Sequence, residues 1–241
     1  LIEAVDKMLD EIGNNTQVSD AFMDYINYSM DNNERVSINK SLYNSAKKYI
    51  NDIHYNPLKQ NENFEWNAYE SKKNELRDII KNNKSESLKL CKLVLQLLNE
   101  KDLSIEDFAG GKSNGLGKFF VELEKYLTDE RSDFPLPGEE QKALATFNKG
   151  ASAKGKKKET VILEIQEYLI NQRAHLIKLH IESKIKEKIL TSLLPLKVNA
   201  DIQKKLKEIE EENDLVLLSK FNILINENLK NEPSPFIYEK V

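Results

Sequence analysis

The sequence predicts an all-α protein, an elongated multi-helix domain with one long helix after a basic loop. Three observations carry this. Gly and Pro number only 8 and 6 among 241 residues, and these are the residues that punctuate turns and strands. Apolar residues recur at helical spacing along most of the chain, whereas no segment alternates with the period of two that a half-buried strand requires. One stretch, Thr160 to Leu194, keeps the helical period well beyond the length of an ordinary globular helix.

Taken in order, "LIEAVDKMLDEI" places Ile2, Val5, Leu9 and Ile12 on one face, and Gly13 stops it. "VSDAFMDYINYSM" repeats Phe22, Tyr25 and Ile26, with Ser19 or Asp20 as N-cap. A third helix covers Asn39 to Ile53 and ends before Pro57. "FEWNAYESKKNELRDIIKNN" is amphipathic, and "SESLKLCKLVLQLLNE" follows with Leu88, Cys91, Leu95 and Leu98 inward. Ser104 and Asp107 have capping-box spacing, with Asp in place of Glu. "AGGKSNGLGK" holds four of the glycines and leads into the helix "LGKFFVELEKYL". "NKGASAKGKKKET" has small residues, Gly and Lys without an apolar anchor, as loops do. In the long helix, Ile177, Ile181, Ile185, Ile189 and Leu193 follow at four-residue spacing. Pro195 is expected to end or kink it, and so long a helix suggests an arm or an αα-hairpin that returns through "VNADIQKKLKEIEEEN". "DLVLLSKFNILINENL" forms the last helix. The domain division expected is a helical body over 1–213, then a helix and linker over 214–241.

Net charge is −4, from 36 basic and 40 acidic residues. This excludes the bulk basicity of a small dedicated DNA-binding domain, so any nucleic-acid contact has to come from a local patch. The single Cys excludes an internal disulfide, and its apolar setting makes Cys91 a small core residue. No apolar run approaches the ~20 residues that span a bilayer. A cytoplasmic protein with no membrane partner is expected.

Few residues point to chemistry. Gly111-Lys112-Ser113 matches the end of a phosphate-binding loop, but the full pattern needs Gly at 106, where Glu106 stands, and a preceding strand. A glycine turn between helices explains it as well. A middle reading keeps Lys112, Ser113 and nearby amides as a phosphate contact. The loop lysines Lys149, Lys154, Lys156, Lys157 and Lys158 meet no acid until Glu159. They suit sequence-independent phosphate contact, or simply solvation. With Lys118 they complete the candidate nucleic-acid-binding set. His175 and His180 are five apart, so they do not form an i, i+4 zinc pair. Trp66 reads as core rather than as a base-stacking platform. No catalytic set, cofactor site or metal site is indicated.

The stretch "DLVLLSKFNILINENLKNEPSPFIYEKV" resembles superfamily 1, UvrD-like DNA helicases of the RecB/AddA type, in the branch common in Bacteroidetes. There a "LLS..N.L" helix and a "PFIYEK" tail lead into the Walker B strand. The likeness is carried by Leu217, Leu218, Ser219, Asn222 and Pro235 to Val241. "LIEAVDKMLDEIG" is similar to the segment after the Walker A part of the motor. "GGKSNGLGKFF" sits where the family has a "GKS....YF" element. The resemblance implies subdomain 1B, a helical insertion of the first motor domain beside the DNA path. It implies no ATPase, helicase or nuclease activity for this chain alone. ATP and Mg²⁺ would bind elsewhere in the parent, an ATP-dependent DNA helicase or helicase-nuclease acting in repair. The implied partners are duplex or forked DNA, the rest of the motor chain and a second helicase-nuclease subunit. The competing expectation is a helical scaffold that docks a partner subunit, marked by an exposed apolar stripe on Thr160 to Leu194.

Overall fold

The computed structural model describes residues 1–31, 38–49, 64–109, 111, 115–136, 158–217, 221 and 225. Among these the chain is all-α, without strands. The helices are α1 Ile2–Leu9, α2 Thr16–Asp31, α3 Ile38–Tyr49, α4 Trp66–Glu100, α5 Leu116–Leu127 and α6 Glu159–Glu212, with a 3₁₀ turn at Ile105–Asp107. Contacts divide the chain into two units. The first is Leu1–Glu75 with Lys188–Val241, and the second is Leu76–Glu187. The expected boundary near residue 214 falls where few later residues are described.

In the first unit, α1 buries Ala4, Val5 and Met8, while Ile2 is 64% exposed. The buried face is therefore rotated from the expected Ile2–Val5–Leu9–Ile12 line. Helix α2 begins earlier than expected. Asn15 Oδ1 accepts the Gln17 and Val18 amides at 3.1 and 3.4 Å, and Ser19 Oγ instead donates to the Asn15 carbonyl at 2.8 Å. Asn15 is thus the cap, because its short side chain reaches the orphan amides of the first turn.

Helix α4 joins two expected segments into one helix of 35 residues. Nothing between them breaks helical geometry, since "IKNNKSES" contains neither Gly nor Pro. Its buried line runs through Leu76, Cys91, Val94 and Leu98, with Leu88 and Leu95 half-buried.

Helix α6 corrects the hairpin expectation. It runs 54 residues with Pro195 inside it. An interior Pro removes one ladder bond and costs roughly 3 kcal/mol. It leaves the Thr191 carbonyl without its ladder donor, and the local side chains bond the carbonyls on either side of that one. Thr191 Oγ1 and Ser192 Oγ each donate to the Lys188 carbonyl at 2.9 Å, and Asn199 Nδ2 donates to the Pro195 carbonyl at 2.7 Å. Leu193, Leu194, Val198 and Ile202 are buried on this stretch. Each such side chain contributes about 1.5–3 kcal/mol, so packing outweighs the proline.

Three helices end alike. Asp102, Asp129 and Asp214 take left-handed φ of 51°, 63° and 54°. The next residue's amide bonds back five residues each time: Leu103 to Leu98, Glu130 to Lys125, Leu215 to Glu210. This is a Schellman stop with Asp where Gly is usual.

The core of the second unit gathers Cys91, Val94 and Leu98 of α4, Phe119, Phe120 and Leu123 of α5, and Ile162, Leu169 and Leu176 of α6, with Phe108 between them. Cys91 Sγ donates to the Phe120 carbonyl at 3.2 Å. Burial, then the Glu124 charge, pushes its thiol pKa up to about 12. Cys91 is therefore an inert core residue, as its apolar setting predicts.

Candidate nucleic-acid interface

The glycine segment is built for packing. It follows the 3₁₀ turn, where Asp107 accepts both the amide and the hydroxyl of Ser104 at 2.7 and 2.8 Å. Gly115 caps α5, and a Cβ there would lie 2.7 Å from the Ala109 carbonyl oxygen. A Cβ on Gly117 would meet the Phe108 ring at 2.7 Å. These glycines let backbone approach backbone and ring, the role of a turn between helices. Lys112 and Ser113 lie outside the described residues.

Of the basic loop, Lys149, Lys154, Lys156 and Lys157 also lie outside the described residues. Lys158 is described, immediately before α6. Its Nζ bonds the Asp102 carbonyl and sits 2.9 Å from the Asp102 carboxylate and 3.7 Å from that of Asp107. The Asp102 hydrogen bond raises its pKa, as do both charges, so it stays cationic. A phosphate would have to compete with Asp102 for it.

Lys118 is half-buried on α5. Its charge acts on Glu122, one turn along. Burial pushes the Glu122 carboxyl up, but the Arg131 hydrogen bond and the charges of Lys125, Arg131 and Lys118 outweigh burial and hold it below the usual range. Glu122 and Arg131 form a close ion pair, and Arg131 Nε also donates to the Asp133 carbonyl at 2.7 Å.

Within the second unit a groove of about 500 Å³ lies beside this pair, lined by Ile80, Asn83, Lys84, Tyr126, Arg131 and His180 among others. His180 stacks on Phe134, ring centroids 3.7 Å apart and planes 18° apart, with the Tyr126 ring edge-on to both. Burial and then the Lys184 charge lower the His180 pKa. The cations at this groove are matched: Lys84 to Asp129 at 3.1 Å, Arg131 to Glu122, Lys184 to Glu187 at 2.8 Å. Sequence reasoning missed the groove, because Phe134 and His180 are 46 positions apart and no local pattern links them.

His175 is exposed and bonds Glu86 at 3.0 Å. The two histidines thus serve different faces of α6, as their spacing predicts. No group of three or more His, Cys, Asp or Glu side chains that could hold a metal occurs among the described residues. In the first unit Trp66 is half-buried, edge-on to Tyr69 at 5.4 Å, with Lys197 Nζ 4.8 Å from its ring centroid. Trp66 is thus partly packed against its neighbours and not among the fully buried core residues that the sequence led one to expect. No described helix is long and apolar enough to cross a membrane.

No protein-family model, curated protein or solved structure matches this chain.

Proposed function

We propose that this chain is a non-catalytic helical accessory domain of an ATP-dependent DNA helicase or helicase-nuclease, a 1B-type insertion that holds DNA by its phosphates without reading sequence. The observation that carries this is the resemblance at Leu217, Leu218, Ser219, Asn222 and Pro235 to Val241. The all-helical fold agrees with it. So does the exposure of Leu215, Val216 and Phe221, at 61%, 59% and 57%, because such apolar side chains suit a segment that packs against the motor core of a longer chain. ATP and Mg²⁺ belong to that motor and not to these residues. A motor that moves along DNA needs contacts indifferent to sequence, which lysine–phosphate contacts provide.

The test is fluorescence anisotropy of the chain with a labelled forked duplex, at low and near-physiological salt. Binding that weakens steeply with salt and is the same for unrelated sequences supports the reading. Absence of binding at low salt overturns it.

A second reading, a scaffold that docks a partner subunit, is favoured by one observation. Ile181 and Ile185 of α6 are 52% and 53% exposed, the apolar stripe such a scaffold would present. Under it the chain binds no DNA at low salt.

A further inference from the structure

The charge on α4 is not spread as it is elsewhere in the chain. Acids outnumber bases overall, 40 to 36. Yet from Ile79 to Asn99 the lysines Lys81, Lys84, Lys89 and Lys92 meet a single carboxylate, Glu86. Glu86 is engaged with His175, and Lys84 with Asp129. Lys81, Lys89 and Lys92 remain, all exposed. Asp78 and Glu86 each stand three residues before one of them, but no ion pair joins them among the described residues. An ordinary solvated helix face alternates Glu and Lys so that neighbours neutralise one another, as Lys184 and Glu187 do on α6. This face does not.

Its geometry suits an extended polyanion. At 100° per residue the three lysines share an arc of about 80°, opposite the buried line of Leu76, Cys91, Val94 and Leu98. Lys81 and Lys92 are three turns apart, about 16 Å along the axis. That equals the axial rise of roughly five nucleotides of one DNA strand, at 3.4 Å each. Asn82 and Ser85, also exposed, lie beside them and add neutral donors, whereas the Gln96 amide is taken by Glu100 at 2.9 Å. Lysine ammoniums are point charges, without the planar fork that reads a base edge, so this face neutralises phosphates without selecting sequence.

We infer that the α4 face bearing Lys81, Lys89 and Lys92 is a phosphate-backbone contact surface for DNA. The inference rests on the DNA-contacting reading proposed above and names the side chains that carry it in the second unit.

The experiment compares four proteins by anisotropy with a labelled forked duplex, across about 50 to 200 mM salt. They are the wild-type chain, K81Q/K89Q/K92Q, a loop variant K154Q/K156Q/K157Q/K158Q, and K178Q/K188Q/K204Q. The last removes the same net charge from exposed positions of α6. Gln preserves helix propensity, and circular dichroism confirms that each variant is folded. The expected result is a loss of about tenfold or more in affinity for the α4 variant at the lowest salt. The slope of log K against log salt should flatten by roughly 2 to 3, because about 0.9 is lost per phosphate contact. The α6 variant should change little. If the wild type binds and the α4 variant binds no worse than the α6 control, the α4 surface is wrong and the DNA reading stands. If the wild type binds no DNA at the lowest salt, the DNA reading fails and this surface fails with it.

Discussion

The two units bury different chemistry. Among the described residues, the interior of Leu76–Glu187 buries Ser87 and Arg173 as its polar residues, whereas the other unit buries Lys73, Lys197 and Asn199. Each buried lysine there has partners. Lys73 reaches Glu70 and Asp24 at 2.7 and 3.2 Å. Lys197 pairs closely with Asp201 and lies over the Trp66 ring. Burial raises the Asp201 pKa, against the opposing pull of Lys197. The difference teaches where each unit is vulnerable. A packed apolar core fails when volume is removed. A buried ion pair fails when one member is removed, because the other is left without compensation.

Phe120→Ala tests the apolar side and should have the largest effect. Phe120 is fully buried at the centre of its cluster, and such truncations cost about 3–5 kcal/mol. Urea unfolding followed by circular dichroism would measure it. A cost below about 1 kcal/mol would mean that this core is not packed as described.

Lys197→Met tests the polar side. Asp201 is only partly exposed, so the loss should approach about 3 kcal/mol. The sharper measurement is the double variant K197M/D201L. Replacing both charges with apolar groups of similar volume is often neutral, so at least half of the loss should return. If the double variant is no better than the single one, the pair is not the source of the cost.

Asp214→Gly separates the helix ends. Asp102 and Asp129 sit at the same left-handed position but hold lysines, Lys158 and Lys84. Asp214 has no such ion pair among the described residues. A left-handed conformation costs roughly 1–2 kcal/mol for a residue with a Cβ, less for Asp, and an acid opposes the helix dipole at a C-terminus. Asp214→Gly should therefore stabilise the protein by roughly 0.5–1 kcal/mol. Asp129→Gly should gain less, because Lys84 loses its partner.

How far the sequence disclosed these features depended on the range of the interactions. Helix existence rests on local periodicity, so every described helix stood near an expected one, and Cys91 read as core from its neighbours alone. The continuity of α6 through Pro195 did not show. It rests on the burial of Leu193, Leu194, Val198 and Ile202, and Pro carries a strong local signal for a break. The turn of α1 onto Ala4 and Met8 was hidden similarly, since Ile2 is more apolar than Ala4 and only tertiary contacts choose between the faces. At the candidate interface, lysines were legible as charge, but their pairing was not. Lys158 looked free in sequence because Asp102 is 56 positions away. The opposite holds on α4, where the sequence singled out none of Lys81, Lys89 and Lys92, and only the fold shows that neighbouring Glu86 and Lys84 are engaged elsewhere.

His180→Phe gives the smallest expected effect and places a pH dependence in the second unit alone. His180 stacks on Phe134, and burial followed by the Lys184 charge lowers its pKa below the ordinary 6.5. Glu187 favours the charged ring but is outweighed. Its other neighbours at the groove, Lys84, Asp129, Arg131 and Glu122, are paired among themselves. The unfolded chain therefore binds a proton at higher pH than the folded one. Stability contributed by the neutral ring is complete above pH 6.5 and falls as pH drops through the folded-state pKa. Phe keeps the stack and cannot be protonated. Thermal unfolding should show the wild type losing stability between about pH 7 and pH 5 while His180→Phe loses distinctly less over that range. Equal slopes for the two proteins would mean that the Phe134–His180 stack does not shield the ring from water, and that the groove beside it is more open than its geometry indicates.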